Sequence, residues 1–420
     1  MRKIFQNKNG ILKNCHIYQM LNTQKRHLSF HTPGHKRSGW DITELGYSDN
    51  LSTPTGCIAR AETDIARILG AEKSFILTDG STAGVLAMLY AFAKAGFTSL
   101  AIPSYAHKSV KNGCKLLKIT PIEYTRQQLF SGLENVLCQV DGLLLVSPDY
   151  YGNIPDLQAI KTLCKASGKP LLIDGAHGGH LHYDNRLYAG SVADMWVDGV
   201  HKSLPALTQG AVVSAKSSAW SEKLSEGVDV FRTTSPSYPI MASVEYAVKY
   251  PRNDKLEQAV KTVFGGQDRI TIAQDWTKVC VRCGKRAFDI QTELERLGIY
   301  AEFCDGDVLM FYLSPATKIQ GLNVLCKKLK TVVNKYPYIE VEQAPAPTLF
   351  PVTGGTEQVK LDTAQGRVCA RDCGLFPPCT PLIQAGERIT EEKLALLKRA
   401  SNVYGIIDGK ITVLKNAVEE

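Results

Sequence analysis

The sequence predicts an α/β protein with a mostly parallel β-sheet flanked by helices and a smaller α+β domain at the C-terminus. Three observations support this prediction. Between residues 74 and 214, short apolar runs alternate with longer amphipathic runs, which is typical of a parallel sheet with helices on both faces. After Pro236 this alternation ends and helical patterns predominate. The chain has 420 residues, more than one compact core usually holds, which favours two domains.

The alternating region gives the order of the elements. Strands are predicted at residues 74–78, 99–102, 119–124, 142–147, 170–174, 193–197 and 210–214. Helices are predicted between them at residues 82–95, 107–117, 133–138 and 156–166. Because the strands are apolar and the intervening runs are amphipathic, we expect a central sheet that is buried on both faces.

The region after Pro236 is predicted to form the smaller α+β domain. Helices are expected at residues 240–250, 275–297 and 319–333. The alternating run at 299–313 favours strands, and the segment 343–355, rich in Pro, Thr and Gly, is interpreted as a loop. A last helix is predicted at 390–404, because Thr390 can cap its first turn. We therefore divide the chain into an N-terminal segment, a large domain and a small domain, at residues 1–50, 51–270 and 271–420.

The composition argues against several classes of function. Hydrophobic residues make up 44% of the chain, and no apolar run approaches the roughly 20 residues that a membrane helix needs. The first 21 residues are interpreted as a short amphipathic helix and not as an export signal. The 12 cysteines are scattered and are expected to be free thiols in a reducing cytoplasm. The net charge of +8 is spread along the chain, so we expect neither a nucleic acid nor a membrane as a partner.

Two of the predicted strands end in residues suited to an anion and to a flat ligand. In sheets of this kind, ligands bind beyond the carboxyl ends of the strands. After the first strand, Gly80, Ser81 and Thr82 open a helix, whose backbone N–H groups and hydroxyls can bind an anion. After the second strand, the imidazole of His107 can stack on a flat group. The simpler interpretations are a helix cap by Ser81 and a surface histidine at position 107.

A third strand end carries an acidic residue and three histidines. Asp174 ends the strand at 170–174 and is followed by His177, His180 and His182. A carboxylate at the end of a buried strand is poorly solvated and needs a positive partner. That partner is either a metal ion held with the histidines or a protonated nitrogen of a ligand. A zinc site requires a further ligand at a definite spacing, and its lack here favours the ligand nitrogen.

The fourth strand end carries a lysine. Lys202 follows the strand at 193–197, and partial desolvation of a lysine makes its neutral amine a better nucleophile. A surface lysine is the simpler interpretation of this residue alone. Together, however, an anion-binding helix start, a flat side chain, a buried carboxylate and a nucleophilic amine are the contacts that pyridoxal 5′-phosphate (PLP) needs. We therefore predict that the cofactor is PLP and that the site holds no metal.

Seven stretches of the chain carry a family resemblance. They are FHTPGHKRSGWDITELGYSDNLSTPTGCI, LTDGSTAG, YAHKS, LLIDGAHGGH, HKSLPALTQGA, TTSPSYPIMAS and FPPCTPLIQAGERIT. They occur in this order from Phe30 to about Ser243 and again from Phe376 to Thr390. Their joint occurrence resembles the PLP-dependent decarboxylases of ornithine, lysine and arginine, in the shorter bacterial form. This resemblance implies the PLP-dependent transferase-like fold, fold type I, with residues 51–270 as the PLP-binding domain.

The resemblance implies roles for the residues at the strand ends. Lys202 would form a Schiff base with the PLP aldehyde, Asp174 would pair with the pyridine nitrogen, and His107 would stack on the ring. The phosphate and the rest of the cofactor would be bound by Gly80, Ser81, Thr82, His177 and His201.

The resemblance also implies a homodimer with shared active sites, with a higher oligomer as a further possibility. Thr234 and Ser235 would reach the cofactor of the neighbouring subunit. His35 and Lys36 would lie near the site entrance and contact the substrate. Glu387 is a candidate to bind a distal cation of the substrate, and a first-turn helix charge is an equally good interpretation of it.

Four residues depart from the family pattern. Gly199 and Val200 stand where the family usually has Ser and Thr before its His-Lys, which removes a phosphate-binding hydroxyl. Gly175 stands where an acidic residue usually follows the aspartate, and Gly84 where Asn is common. We still expect PLP binding, with a lower affinity, and the departures leave the substrate open.

We predict a PLP-dependent decarboxylase, a carboxy-lyase that converts lysine, arginine or ornithine into CO₂ and a polyamine-type amine. Aminotransferases and other lyases share the four cofactor contacts, so only the family resemblance selects decarboxylation. A third interpretation is a cofactor-binding paralogue without activity, for which Gly199, Val200 and the short C-terminal domain speak. A fourth is a metal hydrolase that uses Asp174 together with His177 and His180.

Overall fold

The computed structural model describes residues 5, 8–23, 30–36, 39–342, 347–376, 381–400 and 402–415. The chain forms two compact units. The first comprises Met1–Glu257 and Leu313–Thr317, and the second comprises Gln258–Tyr312 and Lys318–Glu420. In the part of the chain that is described, no helix has the length and apolar character needed to cross a membrane.

The first unit alternates strands and helices as predicted. Its helices are α1 (His16–Thr23), α2 (Cys57–Leu69), α3 (Gly80–Lys94), α4 (Lys108–Leu116), α5 (Arg126–Phe130), α6 (Leu133–Leu137), α7 (Leu157–Ala166), α8 (Val200–Ser203), α9 (Ser218–Phe231) and α10 (Tyr238–Val248). Its strands are β1 (Lys73–Leu77), β2 (Ser99–Pro103), β3 (Thr120–Tyr124), β4 (Gly142–Val146), β5 (Leu171–Gly175), β6 (Met195–Asp198) and β7 (Ala211–Ala215). Helix α11 (Asp254–Phe264) follows, and the sequence analysis did not predict it.

The seven strands form one sheet in the order β1-β7-β6-β5-β4-β2-β3. Neighbouring strands from β3 to β6 are parallel, whereas β7 runs antiparallel to both β6 and β1. The prediction of a mostly parallel sheet is therefore confirmed. Because β1 has the same direction as β2, β4, β5 and β6, the carboxyl ends of these strands lie at one edge of the sheet.

Apolar side chains cover both faces of this sheet. Leu143 and Leu145 of β4 belong to one core cluster, and Leu144 between them belongs to the other. The first cluster contains buried residues of α1, α2, α7 and α10, and the second contains those of α3, α4 and α9. Each fully buried leucine stabilises the fold by about 1.5–3 kcal/mol. The strand ends are therefore held by a core that is packed on both sides.

The second unit combines helices with antiparallel strands. Its helices are α12 (Ala287–Arg296), α13 (Ile319–Val333) and α14 (Glu391–Arg399). Its strands are β8 (Ile270–Ile272), β9 (Lys278–Arg282), β10 (Phe303–Cys304), β11 (Val308–Tyr312), β12 (Thr356–Lys360), β13 (Gly374–Leu375), β14 (Val403–Tyr404), β15 (Ile406–Ile407) and β16 (Lys410–Leu414). They form sheets in the orders β10-β11-β9-β8, β12-β16-β15 and β13-β14. The predicted α+β character of the C-terminal region is confirmed.

The structure corrects two predicted helices in this unit. The helix predicted at 275–297 is wrong in its first half, where the chain forms β9, and the α-helix α12 begins only at Ala287, after a short 3₁₀ turn. Val279 and Val281 have no exposed surface, whereas Cys280 between them and Arg282 after them are more exposed, which is the period of a strand. The last helix, predicted at 390–404, ends at Arg399, and the residues after it enter β14.

Candidate active site

A cavity of about 210 Å³ lies beyond the carboxyl ends of β1, β2, β4, β5 and β6. All the residues that line it belong to the first unit. They are Gly80, Ser81, Thr82, Val85, Tyr105, His107, Ser109, Val146, Pro148, Tyr150, Asp174, Ala176, His177, His201, Lys202, Thr208 and Gln209. The four strand ends singled out in the sequence thus meet at one cavity.

The start of α3 forms one wall of the cavity. Gly80 is its first residue and has φ of +75°, a left-handed conformation that favours glycine. The cap residue is Asp79, so Ser81 does not cap the helix. The Ser81 hydroxyl is buried and, within the described part of the chain, has no hydrogen-bond partner. A buried hydroxyl without a partner costs about 1–3 kcal/mol, and an anion bound at this helix start would satisfy it.

Gly199 lies directly against this helix start. A Cβ atom at position 199 would be 2.4 Å from the Ala176 carbonyl oxygen and 2.8 Å from the Ser81 hydroxyl oxygen. Both distances are shorter than real Cβ contacts. The glycine found here in place of the family's serine therefore has a structural cause, since no side chain fits at this position unless Ala176 or Ser81 moves.

His107 is held rigidly at the start of α4. Its Nδ1 accepts a hydrogen bond from the Ser109 backbone N–H at 3.2 Å and lies 2.8 Å from the Ser109 hydroxyl. Because Nδ1 is an acceptor, the neutral ring carries its proton on Nε2. Burial lowers the pKa of His107, the charge of Asp174 opposes this, and the charge of Lys202 adds to it. The cavity thus contains a flat, neutral imidazole.

Asp174 and Lys202 line the same cavity from adjacent segments. Asp174, near the end of β5, is 6% exposed, and its Oδ1 accepts a hydrogen bond from the Ala176 backbone N–H at 3.1 Å. Lys202 lies in α8, after β6, and its Nζ is 3.1 Å from Nε2 of His177. The two side chains therefore lie on the same face of the sheet, as a shared ligand requires.

His201 precedes Lys202 and is oriented by the backbone. Its Nδ1 lies 2.9 Å from the Gly210 carbonyl oxygen, which accepts the ring's proton. Burial lowers the pKa of His201. The neutral ring therefore presents Nε2 as an acceptor, and an approaching phosphate would favour the doubly protonated ring over the neutral one.

Two tyrosines that the sequence analysis did not single out form a further wall. Tyr150 packs edge-on against His177, with ring centroids 4.5 Å apart. Tyr105 carries the guanidinium of Arg126 over its ring at 4.2 Å, and Arg126 also pairs with Asp149. Tyr105 follows β2, Arg126 follows β3, and Asp149 and Tyr150 follow β4. Inspecting every strand end, and not only four, would have found these residues.

Several predicted site residues lie elsewhere. Thr234 and Ser235 are exposed, and so are His35 and Lys36. Among the described residues that line this cavity, none of the four is present. Nε2 of His35 lies 3.0 Å from Oδ2 of Asp41. These residues keep the roles assigned from the family resemblance as proposals.

Glu387 belongs to the second unit. It is 2% exposed, its carboxylate pairs with Lys393, and its Oε2 accepts a hydrogen bond from the Gln384 backbone N–H at 3.0 Å. The charge of Glu387 is therefore already compensated inside that unit.

The histidines after Asp174 do not converge on a common point. Across the described ranges, the structure contains no group of three or more His, Cys, Asp or Glu side chains arranged to hold a metal ion. His182 turns its Nδ1 to the Gly179 carbonyl oxygen at 2.7 Å, and burial lowers its pKa to about 4. Cys379, which the sequence places near Cys369 and Cys373, lies outside the described residues.

Comparison with family models identifies the chain. A model of the Orn/Lys/Arg decarboxylase major domain matches residues 38–276, more than half of the chain. A model of the C-terminal domain of the same family matches residues 327–403. The chain belongs to the Orn/Lys/Arg decarboxylase family. The family resemblance inferred from seven sequence stretches is thereby confirmed.

The relatives of this Orn/Lys/Arg decarboxylase family member include proteins of matching length. An uncharacterized protein of Bacillus subtilis (strain 168), YaaO, is 28% identical over 95% of this chain and 97% of its own length. An arginine decarboxylase of Halalkalibacterium halodurans is 24% identical over 90% of this chain and 91% of its own. The constitutive lysine decarboxylase of Escherichia coli (strain K12) is 29% identical over 51% of this chain and 33% of its own.

Solved structures show the same fold. Escherichia coli constitutive lysine decarboxylase aligns with a TM-score of 0.69 and 19% identity over 99% of this chain and 82% of its own. Francisella novicida lysine decarboxylase aligns with a TM-score of 0.72 and 16% identity over 95% and 80%. A structure of SPT with PLP as an internal aldimine aligns with a TM-score of 0.56 and 13% identity over 66% and 76%. The family member therefore has the fold of the fold-type-I PLP enzymes, as predicted.

Proposed function

We propose that the protein is a PLP-dependent decarboxylase of a basic L-amino acid, namely lysine, arginine or ornithine, and that it releases CO₂ and a polyamine-type amine. The observation that carries the proposal is the meeting of Lys202, Asp174, His107 and Ser81 at one cavity. The family membership selects decarboxylation among the reactions that such a cavity can support.

The residues present fit PLP. The buried Ser81 hydroxyl, at the start of α3, suits the phosphate, with the Gly80 backbone and Thr82 beside it. Because Gly199 has no side chain, the Ser81 hydroxyl can lie close to the backbone of Gly199 and Ala176, which follow β6 and β5. The neutral ring of His107 can stack on the cofactor ring without repelling a positive charge on it. The donor set therefore offers one partner for each part of the cofactor.

Each side chain has a task in the proposed reaction. When bound, PLP supplies an electron sink for the bond broken at the substrate Cα. Asp174 holds a proton at the pyridine nitrogen, because its buried carboxylate stabilises a positive charge there. Lys202 would hold the cofactor through its amine, which lies at the same cavity as Asp174. Tyr105 and Tyr150 form part of the wall around the cavity and would limit the access of water to a bound substrate.

The experiment that tests this function is a substrate panel. Purified full-length protein, supplied with PLP, is given lysine, arginine and ornithine, and released CO₂ is measured with and without a keto acid. We expect CO₂ from at least one of the three, independent of the keto acid, and none from Lys202→Ala. No CO₂ from any of them, or amine transfer that depends on the keto acid, would contradict the proposal.

We also propose a homodimer in which Thr234 and Ser235 complete the cofactor site of the neighbouring subunit. Their exposure on the first unit supports this, since they are accessible to a second copy. Mixing Lys202→Ala with a Thr234→Ala/Ser235→Ala double variant should restore up to about a quarter of the wild-type activity, because half the dimers are mixed and each has one intact site. A monomer by light scattering, or mixtures without activity, would contradict shared sites.

A further inference from the structure

His177 and Lys202 form a side-chain pair inside the cavity. Nε2 of His177 lies 3.1 Å from Nζ of Lys202, within hydrogen-bond distance. His177 is 4% exposed, and the edge-on contact with Tyr150 fixes the orientation of its ring. The histidine is thus buried and held in place, the lysine is partly buried, and the contact joins the two nitrogens directly.

The contact is compatible with two proton arrangements. In one, the Lys202 ammonium donates to a neutral imidazole, and in the other the protonated ring donates to a neutral amine. The heavy atoms occupy the same positions in both. A proton can therefore pass between the two nitrogens without movement of the chain.

The other two histidines of the cavity are engaged differently. His107 turns Nδ1 to Ser109, and His201 turns Nδ1 to Gly210. Each of these contacts fixes a ring to its own segment of backbone. His177 instead directs a ring nitrogen at the amine of Lys202.

We propose that His177 is the acid–base partner of Lys202. The N–H bond of the Lys202 ammonium breaks, its electron pair stays on Nζ, and the proton goes to Nε2 of His177. The neutral amine of Lys202 is then able to bond to a carbonyl carbon, which an ammonium cannot do. The reverse transfer restores the ammonium and the neutral ring. The catalytic part of this inference rests on the proposed function, whereas the proton exchange itself requires no cofactor.

Several other groups face the pair and belong to its electrostatic environment. Asp174 comes from β5, His107 from the segment before α4, and His201 from α8. Burial is the main cause that lowers the pKa of His107 and of His201, and the charge of Lys202 adds to it for both rings. The effect of one member of the pair on the titration of the other is therefore measured as a difference between the wild type and variants of His177 or Lys202. The other groups that face the pair remain unchanged in these variants; they are Asp174, His107, His201, Tyr105 and Tyr150.

The first test uses the cofactor-free, full-length protein. The rate at which acetic anhydride labels Lys202 is measured by mass spectrometry from pH 5 to pH 10. Two coupled groups titrate in two steps, so we expect two steps in the wild type and a single step in His177→Gln. At pH 7 the two labelling rates should differ by at least about threefold. His182→Gln, in the same loop, is the matched control and should behave as the wild type.

A second measurement observes the pair from the other side. Histidine ¹⁵N resonances are followed through a pH titration in the wild type and in Lys202→Ala. Loss of the neighbouring amine should shift the titration midpoint of His177, whereas that of His182, whose Nδ1 lies 2.7 Å from the Gly179 carbonyl oxygen, should not move. Because Lys202→Ala keeps the imidazole of His177, this measurement shows whether the amine and the ring are coupled even if His177→Gln fails to fold.

The third test uses the PLP-loaded enzyme. In His177→Ala, added imidazole should restore CO₂ release at least about tenfold, because a free imidazole can take the place of the missing base. The proposal would be overturned by any of three results. The labelling profiles of the wild type and His177→Gln could coincide, the His177 midpoint could be the same in the wild type and Lys202→Ala, or imidazole could fail to restore CO₂ release in His177→Ala. If the wild type releases no CO₂, the proposed function fails, and the labelling and NMR experiments still decide whether the two nitrogens exchange a proton.

Discussion

Asp174 and Asp198 stand at the ends of adjacent strands, yet their side chains meet different surroundings. In the register of β5 and β6, Asp174 is level with Val197, one residue before Asp198, so the two carboxylates point to opposite faces of the sheet. Asp174 lines the cavity. Asp198 accepts hydrogen bonds from the Tyr188 hydroxyl at 2.6 Å and from Trp196 Nε1 at 3.1 Å. Burial raises the pKa of Asp198 to about 7, against the lowering effect of these two hydrogen bonds.

The comparison teaches that a position at a strand end does not by itself make a site residue. Alternate residues of a strand face opposite sides, so the parity of the position decides whether a carboxylate meets a ligand or the core. Asp174 faces the side of α3 and Lys202, where a positive ligand group can meet it. Asp198 faces aromatic side chains, which favour its neutral form.

The largest expected difference between the two residues is in activity. Asp174→Asn keeps the shape of the side chain and removes its charge, so the proton at the ligand nitrogen loses its partner. We expect kcat/KM for CO₂ release to fall more than about 100-fold, as for other preorganised electrostatic partners. Asp198→Asn should retain activity within about threefold, because its side chain does not line the cavity. Similar losses of kcat/KM in both variants would contradict the assignment of Asp174 to the site and of Asp198 to the core.

The next largest effect is on the pH dependence of stability. Because the folded pKa of Asp198 is raised from 3.8 to about 7, its contribution to stability is fully present below pH 3.8 and is lost as the pH rises to about 7. Asp198→Asn cannot ionise. Between pH 4 and pH 8 the free energy of unfolding of the variant should therefore rise relative to that of the wild type by about 4 kcal/mol.

Chemical denaturation at several pH values measures this gain. Asp268→Asn makes the same change at a side chain that is 95% exposed, and it serves as the control. If the free energies of unfolding of Asp198→Asn and the wild type changed with pH in the same way, ionisation of the buried Asp198 would carry no free-energy cost, which would contradict the prediction.

A smaller effect is expected at the contact between Gly199 and the helix start. Gly199→Ala places a methyl group against the Ala176 carbonyl and the Ser81 hydroxyl, which must move apart. Overpacking of this kind costs about 1–3 kcal/mol, so the PLP affinity should fall roughly ten- to 100-fold. Absorbance titration of the cofactor-free protein with PLP measures the dissociation constant. An unchanged dissociation constant would mean that the Ala176 carbonyl and the Ser81 hydroxyl can move apart without weakening the binding of PLP.

The smallest effect is expected for the hydroxyl of Ser81 alone. Ser81→Ala removes one hydrogen-bond donor to the phosphate and also removes an unsatisfied buried group from the free protein. We expect the dissociation constant of PLP to rise about tenfold, which corresponds to about 1.4 kcal/mol. The same titration with Thr208→Ala, which removes a hydroxyl elsewhere in the cavity lining, shows whether the effect is specific to the helix start.

The sequence predicted the strands of the first unit well because they are short apolar runs with a clear boundary, but it missed the helices α2 and α9. It also predicted α13 as Ile319–Val333, where the helical period is regular. It failed at β9, where a period of two in Val279 and Val281 was interpreted as part of a helix. Periodicity over five residues is too short to separate the two patterns when the helix α12 follows almost directly.

For the site, the sequence supplied the strand ends but not the contacts between them. The 3.1 Å contact of His177 with Lys202 joins residues that are 25 positions apart, and no local pattern encodes it. The enclosure of Asp198 by Tyr188 and Trp196 was missed for another reason. It depends on which face of β6 each residue occupies, and a four-residue apolar strand that is buried on both faces gives no alternation to show this.

Reduction with borohydride shows whether Lys202 bonds to the cofactor at the cavity that Asp174 lines. The PLP-loaded protein is reduced, digested and analysed by mass spectrometry, with Lys202→Ala treated in parallel. We expect one reduced pyridoxyl adduct, on the peptide that contains Lys202, and its loss in the variant. An adduct on a different lysine, or an unmodified Lys202 in protein that contains stoichiometric PLP, would contradict it.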